Sequence, residues 1–134
     1  MKLHSEKLSI NSEIENISLI EKMVDDLSSG YNINSDLYGK VLLAVIEGVN
    51  NAVVHGNKLD REKIVTVEYF ISEEVLSFSI KDQGPGFNYM AVPDPTIPEN
   101  IEKPHGRGIF LMNHLADSIE FYHNGSEVKM NFKL

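Results

Sequence analysis

Residues 37–57 read LYGKVLLAVIEGVNNAVVHGN, and this stretch decides the fold. Its pattern predicts a helix that ends near Gly56 and is apolar on nearly every side, which is typical of a helix in a protein interior. Polar side chains nevertheless interrupt its middle and close its end: Glu47, Asn50, Asn51, His55 and Asn57. This conflict between an interior helix and a polar cluster is the strongest functional signal in the chain.

Glu47 and Asn51 are four residues apart, so a helix presents both side chains on one face. Burying a carboxylate and an amide is unfavourable unless hydrogen bonds compensate for the lost water. We therefore expect these groups to meet a ligand, a metal ion, a helix end or each other. A carboxylate in a cleft of low dielectric has a raised pKa, which would make Glu47 a competent base. The side-chain oxygen of Asn51 is a hard ligand suited to Mg²⁺.

Composition sets the broad class of the protein. A length of 134 residues fits one domain, 1–134, and an apolar fraction of 42% is that of an ordinary globular protein. The net charge of −8 argues against direct binding of nucleic acid, because such binding needs Lys and Arg to neutralise phosphates. The absence of cysteine excludes disulfides, thiolate metal sites and cysteine nucleophiles.

The sequence carries no targeting signal that we can identify. Its first ten residues, MKLHSEKLSI, have no apolar core flanked by basic residues, so no signal peptide is predicted. No uninterrupted apolar run approaches the roughly 20 residues that span a bilayer. We therefore expect a cytoplasmic protein.

Hydrophobic periodicity predicts the remaining elements. Asn11 or Ser12 is expected to cap a first amphipathic helix, which stops at Gly30, and Asn34, Ser35 or Asp36 to cap the second. The other predicted elements are a weak strand within residues 1–10, strands at 65–71 and 75–81, a loop at 88–105, a helix at 109–116, and strands at 119–123 and 127–134 around Asn124-Gly125. Helices and hairpins segregated in this way predict an α+β fold, a two-layer sandwich with helices on one face of a mixed, mostly antiparallel sheet.

Two glycine-containing stretches add chemistry to the polar helix. Residues 82–86, Asp-Gln-Gly-Pro-Gly, follow a predicted strand. Asp82 there could accept a hydrogen bond from an exocyclic amine while Gly84 and Gly86 let the backbone pass a flat ligand, although the same residues also suit a plain turn. Residues 106–108, Gly-Arg-Gly, open a predicted helix whose N–H groups and dipole suit a phosphate, or form only a flexible helix entry.

The three stretches in order resemble the GHKL ATPases, the Bergerat-fold group of gyrase, MutL, the heat-shock chaperone and histidine kinases. Residues 47–57 match the N box of that family, 82–86 its first glycine box, and 106–111 its second, where His105 to Leu111 read HGRGIFL. The loop at about 88–105 would be the ATP lid. No P-loop or protein-kinase glycine-rich loop is present in the sequence.

Within that group the compact chain is similar to the anti-sigma-factor serine kinases of the RsbW type. The resemblance implies that Glu47 is the base for a substrate serine, that Asn51 holds the Mg²⁺ that bridges the ATP phosphates, and that Asp82 binds the adenine amine. Gly84 and Gly86 would shape the pocket. The second glycine box would contact the phosphates and complete the nucleotide site through Gly106, Arg107, Gly108 and Ile109.

The function implied is that of an ATP-binding anti-sigma factor with serine/threonine kinase activity. It would bind a sigma factor and phosphorylate a small anti-sigma-antagonist (STAS-type) domain, and a homodimer is expected by resemblance only. Two alternatives stay open: a nucleotide-responsive binding switch without kinase activity, and an ATPase domain that acts with a two-component system. The sequence also leaves open whether His55 orients phosphate or caps the helix, and whether Lys58 neighbours a phosphate or only solvent.

Overall fold

The structure is a computed structural model that describes residues 4–87 and 104–134, with the side chains of residues 104–107 outside the description. Within these residues the structure has five strands and three helices, which follow in chain order: β1 (His4–Asn11), α1 (Ile17–Gly30), α2 (Ser35–Asn50), β2 (Ile64–Ile71), β3 (Val75–Lys81), α3 (Pro104–Leu115), β4 (Ser118–Tyr122) and β5 (Glu127–Lys133). Short 3₁₀ turns precede α1 (Ile14–Asn16) and join β4 to β5 (His123–Gly125). A π-helical turn, Asn51–Gly56, continues α2.

The strands form one sheet in the order β1-β2-β3-β5-β4. All four pairings that the structure describes are antiparallel, so the sheet lacks the mixed character that the sequence led us to expect. The weak first strand is real, because it pairs with β2 along its whole length. The predicted α+β fold class is confirmed.

One face of the sheet is buried beneath the helices. From Val65 to Ile71 the residues of β2 alternate between buried and half-buried, as a period of two requires, and Tyr69 lies opposite Phe78 of β3 in the same layer. The opposite face is polar, and there the hydroxyl oxygens of Ser9 and Thr66 lie 3.1 Å apart. The helices therefore cover a single face, as predicted.

Helix α2 lies in the middle of the helix layer and contacts both α1 and α3. Its Val45 and Val49 are fully buried, and Gly48 lies so close to β3 that an added Cβ would be 2.6 Å from Cδ1 of Ile80. The prediction that this helix is interior on nearly every side is wrong, because Leu43 is 43% exposed and Glu47 is only half-buried. The helix has one face in the core and one face toward solvent.

The same helix and its π turn, Ser35–Gly56, have the length and mean hydropathy, 1.3, of a membrane span. Core helices of globular proteins reach the same values. The packing of Val45 and Val49 inside the core of the fold accounts for that hydropathy.

The caps of the first two helices follow different rules. At α2 the side-chain oxygen of Asn34 accepts a hydrogen bond from the Leu37 N–H at 2.9 Å, which confirms one of the predicted caps. At α1 the predicted caps are wrong: Asn11 pairs with Ile64 in the sheet, and Ser12 donates its hydroxyl to the Lys63 carbonyl at 2.8 Å. Both residues make contacts with distant parts of the chain and therefore do not cap the helix.

Helix α3 begins at Pro104, earlier than residue 106, where the glycine-rich stretch was expected to open it. Proline suits the first turn of a helix because its missing N–H has no partner there in any case. Pro104 and His105 therefore belong to the helix and not to the loop, and the rest of the expected lid, residues 88–103, lies outside the described residues.

The turn between β4 and β5 holds His123, Asn124 and Gly125 in left-handed conformations, with φ angles of 52°, 59° and 94°.

Candidate functional site

A pocket that is open to solvent lies between the end of α2 and the end of β3. Four segments line it: Gly48, Asn51, Ala52, His55 and Gly56 from α2 and its π turn; Ile80, Asp82, Gly86 and Phe87 from β3 and the turn that follows; Ile109 and Met112 from α3; and Phe121, Gly125, Ser126 and Val128 from β4 and β5. The pocket thus brings together residues from all three predicted boxes.

The π turn shapes the floor of this pocket. The Asn57 N–H donates to the Ala52 carbonyl at 2.8 Å, five residues back, instead of four as in an α-helix. Such wide turns are rare and occur preferentially at functional sites. Here the turn begins at Asn51 and ends at Gly56, both of which line the pocket.

Asn51 presents an unsatisfied polar group in the pocket. Its Nδ2 atom is buried and has no hydrogen-bond partner among the described residues. Gly108 lies directly against this amide, because an added Cβ at Gly108 would be 2.6 Å from Nδ2. Buried amides without partners are rare in native proteins, so this atom points to a ligand that completes the site.

Glu47 lies one helical turn before Asn51, whose N–H donates to the Glu47 carbonyl. Its side chain is half-buried and is not among the residues that line the pocket. The structure therefore places Glu47 on the turn next to the site, where a second macromolecule could reach it. The expectation of a carboxylate buried in a cleft is not met.

Asp82 follows the last residue of β3 and is 9% exposed. Its Oδ1 atom accepts a hydrogen bond from the Gly84 N–H at 2.8 Å, and its own N–H donates to the Ser126 carbonyl at 2.9 Å. Burial raises the pKa of Asp82 above its ordinary value, while the Gly84 hydrogen bond and the charge of Lys63 oppose that rise. A carboxylate held in this way can accept a further hydrogen bond from a ligand.

The two glycines of residues 82–86 lie very close to neighbouring backbone, and Gly86 also lines the pocket. A Cβ at Gly84 would be 2.1 Å from the Gly56 carbonyl oxygen. A Cβ at Gly86, where φ is +83°, would be 2.1 Å from the Asn124 carbonyl oxygen. Both glycines therefore allow close approach to neighbouring backbone, and the pocket depends on them through that packing.

Sequence reasoning missed the wall formed by β4 and β5. Phe87 and Phe121 meet edge to face, with centroids 5.8 Å apart, and the Phe87 N–H donates to the Asn124 carbonyl at 2.8 Å. No local motif marks this wall, because it is placed by the long-range pairing of β5 with β3, which brings Val128 opposite Ile80.

Of the residues whose roles the sequence left uncertain, one lines the pocket and two do not. His55 lines the pocket, and burial lowers its pKa, so its imidazole is neutral at pH 7. Lys58 is exposed with a φ of 54° and does not line the pocket, and Asn50 is half-buried outside it.

The second glycine box lies in and after the first turn of α3. Gly106 and Arg107 belong to the helix, although their side chains are outside the description. Gly108 is buried beside Asn51, and Ile109 lines the pocket. Within the described ranges no group of three or more His, Asp or Glu residues could hold a metal ion by itself.

Residues 10–132 match the model of a protein family described as the histidine kinase-like ATPase domain. The chain belongs to the histidine kinase-like ATPase family. The expected resemblance to the GHKL ATPases is thereby confirmed. ATP is the nucleotide used by such a domain.

Curated relatives narrow the branch of this ATPase family. The chain is 32% identical over 98 residues to an anti-sigma F factor of Clostridium perfringens, covering 68% of this chain and 69% of the relative. It is 25% identical over 124 residues to the serine-protein kinase RsbW of Bacillus mycoides, covering 88% of this chain and 77% of the relative. Both names agree with the branch that the sequence indicated.

A solved structure confirms the fold. The crystal structure of the RsbU and RsbW domains of a Mycobacterium tuberculosis protein matches 97% of this chain with a TM-score of 0.67. The sequence identity is 13%, so the likeness speaks for the fold alone, and this ATPase chain spans about a third of that protein, 32%.

The contact between Gly56 and Asp82 provides a test of the pocket geometry. We expect Gly56→Ala to destabilise the protein by about 1–3 kcal/mol, because the new Cβ would be 2.3 Å from Oδ2 of Asp82. Urea denaturation measures the change. The matched control is Gly39→Ala, on the exposed side of α2 with no atom within 4 Å of the new Cβ. That helix-favouring change should leave stability unchanged or raise it by about 0.5–1 kcal/mol. Equal effects at the two positions would contradict the geometry.

Proposed function

We propose that the chain is an ATP-binding anti-sigma regulatory factor that phosphorylates an anti-sigma-antagonist protein on serine or threonine. The observation that carries the proposal is the pocket itself, which is lined both by a buried carboxylate, Asp82, and by Asn51, whose buried Nδ2 atom has no partner among the described residues. Relatives named anti-sigma F factor and serine-protein kinase RsbW support the same activity. The protein acts in the cytoplasm on a sigma factor and an antagonist, with a homodimer as the expected assembly.

The adenine end of the nucleotide binds at residues 82–86. Asp82 accepts a hydrogen bond from the exocyclic amine, and its burial favours that exchange because the carboxylate is already removed from water. Gly84 and Gly86 hold the turn against the end of α2 and against the β4–β5 turn. The proposed N box, residues 47–57, forms the floor.

The phosphate end lies toward α3. The proposed second glycine box, residues 106–111, lies at the start of this helix, where N–H groups and the positive end of the dipole favour an anion, and Arg107 adds charge. The Asn51 side chain fits Mg²⁺-ATP, because its oxygen, Oδ1, would ligate the cation, while its buried Nδ2 atom, which has no partner among the described residues, would donate to a phosphate oxygen. When bound, Mg²⁺ neutralises charge on the phosphates during transfer. The proposed ATP lid is then residues 88–103, which lie outside the described residues.

Glu47 acts as the base that takes the proton from the substrate hydroxyl. It is half-buried on the turn next to Asn51, which leaves it accessible to a serine carried by another protein. Phosphorylation then gives the antagonist about −1.5 to −2 charges, which changes the partners that it can bind. Catalysis in such transfers rests mainly on positioning and electrostatics.

A switch without kinase activity is the second candidate, and one observation favours it. Glu47 does not line the pocket in this structure, and binding alone requires no base. Partner affinity that shifts between ATP and ADP with no phosphate transferred would support this candidate. Acid-labile phosphate on a partner histidine would instead indicate action within a two-component system.

Replacing the proposed base tests the kinase activity. We expect Glu47→Ala to lower the rate of serine phosphorylation by about 10²–10⁴-fold, because proton transfer in the transition state is lost. ATP binding should stay within about twofold of wild type, since Asp82 and Asn51 are unchanged. The assay incubates the protein with ATP, Mg²⁺ and the antagonist, and measures phosphoserine by mass spectrometry.

The matched control is Glu73→Ala, an exposed glutamate in the turn between β2 and β3 that does not line the pocket. It should phosphorylate at the wild-type rate. Full activity in Glu47→Ala would show that another group is the base. The absence of phosphoserine with wild type, despite a confirmed complex, would overturn the kinase proposal.

Acidification should weaken nucleotide binding through Asp82. Protonation removes the charge-assisted hydrogen bond to adenine, and burial raises the pKa of this carboxyl, so the loss begins at a higher pH than for an ordinary aspartate. Calorimetric titrations with ADP from neutral pH downward measure the affinity of wild type and of Asp82→Asn. The ionisation of the ADP phosphates affects both proteins equally, so it cancels in the comparison. The tighter binding by wild type than by Asp82→Asn should be lost as the pH falls, with a midpoint above the pKa of an ordinary aspartate. An advantage that does not change with pH would remove Asp82 from adenine recognition.

A further inference from the structure

We propose that Asn57 is a positioning residue that fixes the adenine-binding carboxylate, Asp82, relative to the end of α2. The inference rests on the proposed function of Asp82 and extends it to a residue that does not touch the pocket. Asn57 is 1% exposed and follows the π turn directly.

The side chain of Asn57 joins three segments of the chain. Its Oδ1 atom accepts a hydrogen bond from the Gln83 N–H at 2.7 Å, in the turn after β3. Its Nδ2 atom donates to the Ser12 hydroxyl at 2.8 Å, after β1, and to the Ile64 carbonyl at 2.9 Å, at the start of β2. Both amide protons and the oxygen are therefore in use, and the contacts with Ser12 and Gln83 join segments distant in sequence.

Three of these residues close a ring of hydrogen bonds. Asn57 donates to the Ile64 carbonyl, the Ile64 N–H donates to Oε1 of Gln83 at 2.8 Å, and the Gln83 N–H donates back to Asn57. The ring holds residue 83 by both its backbone and its side chain. Hydrogen bonds arranged in a connected network polarise one another and resist displacement.

This ring sets the position of Asp82 from its C-terminal side. On the other side the Asp82 N–H is fixed to the Ser126 carbonyl at 2.9 Å. The carboxylate also lies against Gly56, the residue before Asn57, with less than the space of a methyl group between them. Asn57 therefore fixes the position of the turn that carries Asp82 relative to the helix that carries Asn51.

Base discrimination is the property that depends on this register. ATP offers an exocyclic amine to Asp82, whereas ITP carries an oxygen at the same position and binds through the phosphates alone. The ratio of the ITP and ATP dissociation constants therefore reports how well Asp82 is placed. A general loss of stability would lower the folded fraction without changing this ratio in the molecules that remain folded.

The experiment measures both dissociation constants by calorimetry for the full chain and its variants. In Asn57→Ala the ratio should fall about fivefold to tenfold, the value of one hydrogen bond, because Gln83 loses its anchor. In Gln83→Ala, at an exposed position, the ratio should fall by a smaller factor, since the backbone bond to Asn57 survives. Should Asn57→Ala fail to fold, as shown by circular dichroism, Gln83→Ala decides the question.

The matched control is Ser12→Ala, which removes a partner of Asn57 on the side away from the turn. It should lower the midpoint of urea unfolding while the ratio stays within about twofold of wild type. A ratio unchanged in both Asn57→Ala and Gln83→Ala would overturn the inference, as would an equal loss in Ser12→Ala. Failure of the proposed function is distinguishable, because wild type would then show no preference for ATP over ITP.

Discussion

The site depends on the close approach of two segments that lie far apart in the sequence. The end of the helix α2 and the turn after strand β3 meet with backbone against backbone, and a single methyl group at Gly56 or Gly84 would not fit. Because the two segments lie this close, the buried carboxylate of Asp82 lines the same pocket as the end of α2. Burial of that carboxylate is costly by itself, and the Gly84 N–H compensates for part of the cost.

Helix α2 connects this contact to the core. Its valines anchor it between the other helices and the sheet, and the π turn at its end widens the backbone where Asn51 and Gly56 face the pocket. The opposite side reaches solvent and carries the half-buried Glu47. The proposed arrangement, with the nucleotide held in the pocket and Glu47 as the base near the surface, suits an enzyme whose substrate is another protein.

Much of this fold was predictable from the sequence, because the strands alternate with a period of two and the boxes follow one another in a characteristic order. The individual errors share a physical cause. Ser12 was expected to cap a helix and instead supports Asn57, and the second wall of the pocket comes from a hairpin that precedes no recognisable box. Such roles are set by contacts between residues far apart in the chain, on which local propensity carries no information. The uniform burial predicted for α2 failed because apolar periodicity does not show which side a neighbouring helix leaves uncovered.

The central claim is that ATP binds in the pocket between α2, β3, α3 and the β4–β5 hairpin. An NMR titration of the ¹⁵N-labelled protein with ADP and Mg²⁺ tests it most directly. We expect the largest amide shifts on residues 51–56, 82–87, 108–112 and 121–128. We expect no change at Tyr31 and Leu134, which line a separate cavity at the edge of the molecule. Shifts concentrated around that second cavity, or none at millimolar ADP, would show that the nucleotide does not bind in this pocket.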